Sequence, residues 1–402
     1  MKILQLVKKF PFPPKDGESI AVLSSSKGYA DLGCEISLLS MNTKKHFVEK
    51  TEGEGLIHYK SIDTSYLDNT LNPIKAFLNL FSNDSFNIKR FDSSDFRHKL
   101  ITILDSQDFD VIQLESLYML PYINTIRSKS KAIIVFRSHN IEHEIWTNLS
   151  TSSNNPLLKW YYNLCSRRLK EYELNQFTNY DLLLPISHTD LSKYQQLGFD
   201  QKLLLSPVGI DIEKYAANRN VVNSVIKLGY IGSLDWKPNI EGLNWFFKNI
   251  WNAVSVKYNK IEFHLAGRNP DSSLQNLPYP KLFNHGEVPD AKDFLENLDF
   301  VVVPLLSGSG IRIKILESMA MGKVVLSTPK GYEGINIQNG RDGFIFNDAE
   351  EFEAQIQFLI ENSKLISQIS LNAKKYIKCN FDIKTLAQNN INKFKQIINS
   401  NG

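Results

Sequence analysis

The stretch Pro304–Gly322, PLLSGSGIRIKILESMAMG, decides the fold class of this 402-residue chain. An apolar run of strand type, Phe300–Val303, leads into a glycine-rich loop and then into a predicted helix. A strand, a glycine-rich turn and a helix N-terminus form an anion site, because glycines let the backbone approach a phosphate and free N–H groups point toward it. Arg312 and Lys314 add positive charge, and Glu317 can accept hydrogen bonds from two neighbouring hydroxyls. The stretch therefore predicts a sugar-nucleotide site, with the pyrophosphate on the loop and the ribose on the glutamate.

Short apolar runs alternate with longer helical patterns along the whole chain, which predicts parallel sheets covered by helices on both faces. The predicted strands are Ile3–Val7, Glu35–Ser40, Val111–Leu114, Ala132–Phe136, Leu182–Pro185, Leu203–Leu205, Lys227–Ile231, Glu262–Ala266, Phe300–Val303, Val324–Ser327 and Gly343–Phe346. The predicted helices are Ser19–Leu32, Ser93–Ser106, Leu157–Thr178, Asn239–Tyr258, Arg312–Met321, Ala349–Asn362, Lys364–Cys379 and Ile383–Ile398.

This alternation starts twice, once in each half, and so predicts two doubly wound α/β domains. We expect them at residues 1–207 and 208–382, with the polar run Ala216–Ser224 as a linker. A final helix, 383–402, follows the second sheet and is placed to reach back to the first domain. The region Asp63–Arg90 is polar and poorly periodic, which predicts an irregular insertion.

The composition excludes several classes of protein. The 46 basic and 43 acidic residues give a net charge of +3 and no long basic run, so nucleic acid is not an expected partner. Three scattered cysteines indicate a reducing compartment and argue against a structural zinc site. No apolar run approaches the roughly 20 residues of a transmembrane helix. The short apolar N-terminus ends at two lysines, which favours a first buried strand over a signal peptide.

Four further motifs accompany the glycine-rich loop in a fixed order. They are Tyr230–Asn239 (YIGSLDWKPN), Leu265–Arg268 (LAGR), Asn284–Asp290 (NHGEVPD) and Gly331–Gly334 (GYEG). Together with the loop they resemble the motifs of retaining glycosyltransferases of family 4, and the match in order and spacing covers about Ile226–Phe346. The first half resembles this family more loosely, through Phe10–Gly17 and Arg137–Asn140.

The resemblance implies the GT-B fold, in which two Rossmann-like domains face each other across a cleft and the second domain holds a nucleoside-diphosphate sugar. In such enzymes Glu317 would bind the ribose, and Lys237 with either Arg312 or Lys314 would neutralise the diphosphate. The turn Gly286–Val288 would meet the base through backbone atoms. The donor-binding positions implied are Gly17, Gly232, Ser233, Gly267, Gly286, Glu287, Val288, Gly308, Ser309, Gly310 and Ile311.

The sequence departs from the family pattern at two positions. Ser309 stands eight residues before Glu317, where the first of two paired glutamates is usual, and Ser233 stands where a basic residue is frequent. The loop reads GSGxRxKxLE, which resembles a subgroup of the family. We therefore expect backbone amides of Gly308–Ile311 to take over contacts with the donor sugar.

Three residues of the first half are further candidates. By resemblance, His139 would contact the transferred sugar or the acceptor. Gly17 follows the first predicted strand just before a helix, where it would allow a close backbone approach to the donor phosphate or the acceptor. Glu115, at a strand end, is a candidate for orienting an acceptor hydroxyl. The alternatives are a helix-capping histidine, a plain turn and a surface glutamate. The run His139–His143 also spells H-x-x-E-H, a zinc-protease pattern that needs both histidines on one helix and a third ligand.

These observations predict a retaining hexosyltransferase that uses a nucleoside-diphosphate sugar and a glycan or lipid-linked glycan acceptor, in cell-surface polysaccharide synthesis. No cofactor and no metal are expected, since no DxD-like pair follows a strand and cations are available instead. We expect the protein in the cytoplasm, or peripherally at the inner face of the membrane. The alternatives are a sugar-nucleotide epimerase of the same fold and an inactive nucleotide-sugar-binding protein. A dehydrogenase is disfavoured, because no GxGxxG follows the first strand.

Overall fold

The structure, a computed structural model, describes residues 1–14, 16–70, 79–80, 82, 84–199, 202–215, 225–275, 277–308 and 310–401. The chain forms two compact units, Met1–Gly209 together with Leu386–Gly402, and Ile210–Thr385. The candidate residue Ser309 and the predicted linker Ala216–Ser224 lie outside the described residues. Within the described part, no helix is both long and apolar enough to span a membrane.

The first unit is built on a parallel sheet of six strands in the order β3-β2-β1-β4-β5-β6. The strands are β1 (Lys2–Val7), β2 (Glu35–Thr43), β3 (Tyr59–Leu67), β4 (Val111–Glu115), β5 (Ile133–Ser138) and β6 (Leu182–Pro185). The α-helices are Gly17–Asp31, Phe86–Lys89, Ser94–Ser106, Ile123–Lys129, Glu142–Ser152, Pro156–Asn175, His188–Gln196 and, from Leu386 on, Ile383–Asn401. Short 3₁₀ helices are Lys44–His46, Glu54–Leu56 and Leu117–Tyr122.

The second unit repeats this plan with the strand order β12-β11-β10-β7-β8-β9, again all parallel. The strands are β7 (Ile226–Ile231), β8 (Ile261–Ala266), β9 (Leu282–Gly286), β10 (Phe300–Val303), β11 (Val324–Ser327) and β12 (Phe344–Ile345). The helix Lys237–Phe246 continues through a π-helical turn, Phe247–Trp251, into Asn252–Lys257. The other α-helices are Ser272–Gln275, Ala291–Glu296, Ile313–Ala320, Ala349–Glu361 and Ser363–Asn380. A 3₁₀ turn, Ile212–Tyr215, precedes β7.

Both sheets therefore have the doubly wound order 3-2-1-4-5-6, and the predicted α/β class with two Rossmann-like units is confirmed. The central strands are buried on both faces, which explains their continuous apolar runs. Separate apolar clusters pack on the two faces of the first sheet, and one large cluster surrounds the second.

Several predicted elements need correction. Leu203–Leu205 is not a strand, since only Leu203 forms an isolated bridge, with Leu183. The strands β3 and β9 were not predicted, and β3 includes the start of Asp63–Arg90, so the prediction of an irregular insertion is wrong there. Helices that the periodicity did not reveal are Phe86–Lys89, Ile123–Lys129, Glu142–Ser152, His188–Gln196, Ser272–Gln275 and Ala291–Glu296.

The chain enters the second unit at Ile210 and leaves it after Thr385. These two ends are joined by a parallel β-bridge between Ile210 and Asp382. The N–H of Ile210 donates to the carbonyl of Phe381 at 2.8 Å. Entry and exit of the second unit are therefore tied together.

Candidate functional site

Gly232 and Gly308 lie in the loops that follow β7 and β10, the neighbouring strands at which the order of the second sheet reverses. In open α/β sheets, ligands bind beyond the carboxyl ends of the strands at such a reversal. A Cβ on Gly267, after β8, would lie 1.9 Å from the carbonyl oxygen of Gly232. A Cβ on Gly232 would lie 2.4 Å from Nζ of Lys314. Position 267 therefore requires glycine, because the clash there is with backbone, and the glycine at position 232 leaves room for a lysine.

Lys314 is the cation against which these loops pack. Its ammonium group donates a hydrogen bond to the hydroxyl of Tyr230 and lies 4.1 Å from the centroid of that ring. Burial and the neighbouring Arg312 lower the pKa of Lys314 to about 7, although Glu317 opposes this shift. Its hydrogen-bond partner is a neutral phenol, so an arriving anion would stabilise the charged lysine more than the protein does.

Arg312 is buried and occupies the N-cap position of the helix Ile313–Ala320. Its Nη1 donates to the carbonyl oxygen of Gly310 at 2.7 Å, and its guanidinium carbon lies 5.7 Å from the ring centroid of Trp236. Its Nη2 also lies 3.8 Å from a carboxylate oxygen of Glu333. Arg312 therefore fixes the glycine-rich loop at the start of the helix.

The glycine-rich loop has the backbone conformation that its composition predicts. Gly308 and Gly310 have φ angles of +95° and +87°, which glycine adopts without steric cost. A Cβ on Gly308 would meet the Trp236 ring at 3.0 Å. Ile311 packs against Gly334, whose Cβ would lie 2.9 Å from its side chain. The intervening Ser309 is outside the described residues.

Glu317 lies one turn beyond Lys314 on the same helix, and it is half-buried. The hydroxyl of Tyr215 donates a hydrogen bond to its Oε1 at 2.6 Å. Burial raises the pKa of the Glu317 carboxyl, while Tyr215 and Lys314 work against that shift. Tyr215 is a residue of this site that the motifs did not reveal.

Two further cations lie at the ends of β7 and β8. Lys237 is exposed at the first position of the helix Lys237–Phe246, and its ammonium makes no hydrogen bond or ion pair within the described part of the chain. Ser233 accepts a hydrogen bond on Oγ from Nε of Arg268 at 3.2 Å. Arg268 therefore brings a guanidinium to position 233, where the family pattern has a basic side chain.

The turn Gly286–Val288 follows the edge strand β9. Gly286 has a φ of +64°, and its carbonyl accepts the N–H of Gly267 at 2.7 Å. Glu287 is exposed and Val288 half-buried. The turn is thus joined by its backbone to the loop after β8, so residues of the second half that were predicted to bind the donor follow neighbouring strands of one sheet.

In the first unit, Glu115 and His139 form a buried pair at the ends of β4 and β5. The Nε2 of His139 lies 2.7 Å from Oε2 of Glu115, and Arg137 Nη1 is 3.9 Å from the same oxygen. The other oxygen, Oε1, accepts hydrogen bonds from the amide groups of Gln5 and Gln113. Burial would raise the pKa of Glu115, but Arg137 and His139 outweigh it and hold that pKa below its ordinary value.

This pair belongs to a larger buried polar network. Tyr29 donates to Gln113 at 3.1 Å, Tyr59 donates to Gln5 at 3.1 Å, and Asn390 of the final helix donates to Tyr29 at 2.9 Å. The final helix is therefore bound to the first unit by a hydrogen bond as well as by apolar packing.

The environments of Glu115 and His139 exclude the alternative roles of these two residues. Glu115 is fully buried, so the alternative of a surface glutamate is wrong. His139 does not cap the next helix, because the N-cap residue there is Ile141 and it provides no side-chain hydrogen bond. His143 bonds to Glu173 and His139 to Glu115, so the two histidines of the H-x-x-E-H run have different partners. Both oxygens of Glu115 are occupied by protein donors, so its effect on an acceptor would act through His139.

Gly17 and Ser116 complete the carboxyl edge of the first sheet. Gly17 begins the helix Gly17–Asp31, and Asp16 caps this helix by accepting the N–H of Ser19 at 3.0 Å. Ser116 directly follows β4 with a φ of +98°, and its buried Oγ has no hydrogen-bond partner among the described residues. Strained residues of this kind collect at functional sites, yet a serine carries no sequence signal for a positive φ.

Comparison with known proteins gives a family match within the second unit and a fold match for the whole chain. Residues 226–362 match the family of glycosyl transferases group 1. A 44.6 kDa protein in the cps region of Klebsiella pneumoniae is 24% identical over 308 residues, which are 72% of this chain and 75% of that protein. Anabaena HepE in complex with UDP superposes with a TM-score of 0.65 at 16% identity, covering 98% of this chain and 100% of HepE. Sucrose-phosphate synthase from Thermosynechococcus elongatus gives a TM-score of 0.65 at 14% identity, with both chains covered completely. The chain therefore has the GT-B fold, and the stretch that matches the glycosyl transferases group 1 lies within its second unit.

Proposed function

We propose that this protein is a retaining glycosyltransferase that moves a hexosyl group from a nucleoside-diphosphate sugar to a hydroxyl of a glycan or lipid-linked glycan. The observation that carries the proposal is Lys314. It is a half-buried lysine with a pKa lowered to about 7, and it lies among glycine loops at the switch point of the second sheet. A cation in such a place gains an anionic partner when a diphosphate binds.

The nucleotide would use three parts of this site. The diphosphate would lie on Lys314, Arg312 and Lys237, whose charges stabilise the leaving group as the glycosidic bond breaks. The ribose hydroxyls would donate to Glu317, and the base would meet the turn Gly286–Val288. The UDP bound by the structural neighbour HepE makes a uridine nucleotide the first candidate.

Retention of the anomeric configuration would result if the acceptor hydroxyl attacks the same face of the sugar from which the nucleotide leaves. The acceptor hydroxyl would form the new bond to the anomeric carbon while the bond to the diphosphate breaks, and the departing phosphate oxygen would take the proton. In this proposal the three cations do the electrostatic work, and no metal or cofactor takes part. Backbone amides of Gly308–Ile311 would contact the sugar in place of the glutamate that Ser309 replaces.

The first unit would supply the acceptor side. His139, held by Glu115, would contact the transferred sugar or the acceptor, and Gly17 would allow a close backbone approach. The Klebsiella relative from a cps region supports cell-surface polysaccharide synthesis as the process. A lipid-linked acceptor would bring the protein to the surface of a membrane as a peripheral protein.

The test is a screen of nucleotide sugars by thermal shift, followed by an assay of nucleoside-diphosphate release with and without a lipid–glycan extract. We expect one donor to stabilise the protein, release that depends on the acceptor, and a product whose anomeric configuration, measured by NMR, equals that of the donor. Inversion at the anomeric carbon would contradict the retaining mechanism.

The Lys314→Ala variant tests the site itself. We expect it to reduce transfer by about 10²–10³-fold, as for the loss of one group that stabilises charge in a transition state. The matched control is Lys248→Ala, which removes an exposed lysine from another helix of the same unit and should leave the rate unchanged. Equal rates in the two variants would overturn the assignment of Lys314.

The same assays separate the two alternatives. An epimerase would convert the nucleotide sugar without any acceptor. A binding protein, which Ser309 in place of a glutamate favours, would be stabilised by a donor and show no turnover in any extract.

A further inference from the structure

We propose that Tyr215 is a positioning residue, which holds the Glu317 carboxylate in place as the acceptor for the two ribose hydroxyls of the nucleotide. This inference rests on the proposed function, and it adds a residue that none of the motifs contains. The observation is the hydrogen bond of 2.6 Å from the Tyr215 hydroxyl to Oε1 of Glu317. The two residues are 102 positions apart in sequence, so the contact is produced by the fold.

The backbone that carries Tyr215 is held firmly. Tyr215 ends the 3₁₀ turn Ile212–Tyr215, and its ring packs against the apolar core of the second unit. Two residues before it, Glu213 pairs with Lys384 at 2.8 Å. Ile210, just upstream, is bridged to Asp382. The phenol is therefore presented to Glu317 from a fixed segment, which is what a positioning residue requires.

The hydrogen bond leaves Glu317 able to bind a ribose. A carboxylate offers about four lone-pair sites, and the phenol uses one of them on Oε1. Oε2 and the second lone pair of Oε1 can then accept the vicinal 2′- and 3′-hydroxyls. Without Tyr215 the carboxylate would be free to rotate about its last side-chain bonds, and the two acceptor positions would no longer be fixed together.

The surroundings keep Tyr215 a donor and Glu317 an acceptor. Burial raises the pKa of the Tyr215 hydroxyl, and the negative charges of Glu317, Asp211 and Asp290 raise it further, so the phenol keeps its proton. Burial also raises the pKa of Glu317, but Tyr215 and Lys314 oppose this. Loss of the Tyr215 hydroxyl would therefore favour a protonated Glu317, which is a poorer acceptor.

The experiment compares the binding of a ribonucleoside diphosphate with that of its 2′-deoxy analogue, UDP and dUDP in the first instance, by calorimetry on the full chain. The variants are Tyr215→Phe, which removes only the hydroxyl, and Glu317→Gln. The matched control is Tyr279→Phe, because Tyr279 is a half-buried tyrosine on the same core whose hydroxyl has no partner within the described residues. Thermal unfolding without nucleotide checks that all variants are folded.

We expect the wild type to prefer UDP by at least about tenfold, since the site is built to receive a hydroxyl. Tyr215→Phe should lower this preference about three- to tenfold, the effect of losing part of one charge-assisted hydrogen bond. Glu317→Gln should lower it at least as much, and Tyr279→Phe should leave it intact. The ratio isolates the ribose contact, because both ligands carry the same diphosphate.

The outcomes separate the two proposals. If Glu317→Gln removes the preference while Tyr215→Phe keeps it, the role of Tyr215 is overturned and the nucleotide site stands. If Glu317→Gln keeps the preference, or if the wild type binds none of UDP, GDP and ADP, the ribose assignment fails and the role of Tyr215 fails with it.

A pH series gives a second readout that a merely structural role would not move. The UDP preference should fall as the pH falls through the pKa of Glu317, because a protonated carboxyl is a poorer acceptor. In Tyr215→Phe the midpoint should move to higher pH, since the hydrogen bond that lowers this pKa is gone. Titration of Lys314 and of the diphosphate affects both ligands alike and cancels in the ratio. An unchanged midpoint would contradict the role of Tyr215.

Discussion

The switch points of the two sheets have the same strand order but opposite chemistry. At the end of β4, which neighbours β1 at the switch point of the first sheet, the Glu115 carboxylate is surrounded by protein donors, and its pKa lies below the ordinary value. At the ends of β7 and β10, the Lys314 ammonium has a phenol as its partner, and its pKa falls to about 7. A charge that the protein compensates itself stabilises a fold, and a charge that it leaves under-compensated is available to a ligand.

The glycines reinforce this difference. In the second unit, Gly232 and Gly267 leave the strand ends without side chains where Lys314 and the backbone approach closely. In the first unit, the side chains of Gln5 and Gln113, within β1 and β4, satisfy Glu115 at the end of β4. The glycine-lined part of the second site thus contains backbone and the Lys314 ammonium, whereas the first site is a closed polar network.

The largest expected effect comes from breaking the closed network. Glu115→Ala leaves Arg137 buried without its carboxylate, and removal of one partner of a buried ion pair costs about 3–5 kcal/mol in the free energy of unfolding. Hydrogen exchange followed by mass spectrometry should show faster exchange in β4 and β5 and no change in β10. Glu171→Ala, at an exposed helix position, is the control and should change stability by about 0.5 kcal/mol or less. Equal protection of the first unit in wild type and Glu115→Ala would refute the comparison.

The next effect concerns the under-compensated charge of Lys314. A bound diphosphate stabilises the protonated lysine, so its affinity should fall as the pH rises above 7, by up to about tenfold per pH unit. Calorimetry between about pH 7.5 and 9 avoids titration of the diphosphate itself. Lys314→Met should bind weakly with little pH dependence. If the slope persisted in that variant, another group would be responsible.

The smallest effect tests the strain at the edge of the first sheet. Ser116→Gly should raise the free energy of unfolding by about 1 kcal/mol, because glycine tolerates a φ of +98° and because the buried hydroxyl without a partner is removed. Ser40→Gly, at a buried serine within β2 whose hydroxyl donates to the carbonyl of Met41, should instead destabilise the protein. Chemical denaturation of both variants measures the contrast. A destabilised Ser116→Gly would show that the serine is needed for packing.

Most of the fold could be predicted, because buried strands appear in the sequence as runs of apolar residues. Val324–Ser327 and Phe300–Val303 were predicted with the bounds that the structure has, and so was Leu182–Pro185, an edge strand with an apolar sequence. The two missed strands, β3 and β9, lie at sheet edges and have polar sequences, so no apolar run marks them. Polar edge strands of this kind are recognised by their pairing, which depends on residues far away in sequence.

The candidate site likewise contains some residues that the sequence identified and others that it did not. The spacing within the motif identified Lys314 and Glu317 as site residues, since they lie on one helix close to the glycines of the loop. Tyr215 and Ser116 could not be found, because their roles come from a contact between separate segments and from a backbone angle. Arg268 belongs to one of the motifs, but its contact with Ser233 could not be predicted, because it joins separate segments. The burial of Glu115 was equally hidden, as partners of its carboxylate come from two other segments of the chain, β1 and the end of β5.

The bridge between Ile210 and Asp382 has a consequence for how such a protein can be rearranged. The second unit is an insertion whose two ends meet at one bridge, so both junctions with the rest of the chain lie at one place. A genetic exchange that replaced residues 210–385 would therefore cut the protein at a single spot in space. Nucleotide specificity, if it resides in that segment, could then be inherited as a cassette, independently of the unit that contains His139 and the final helix.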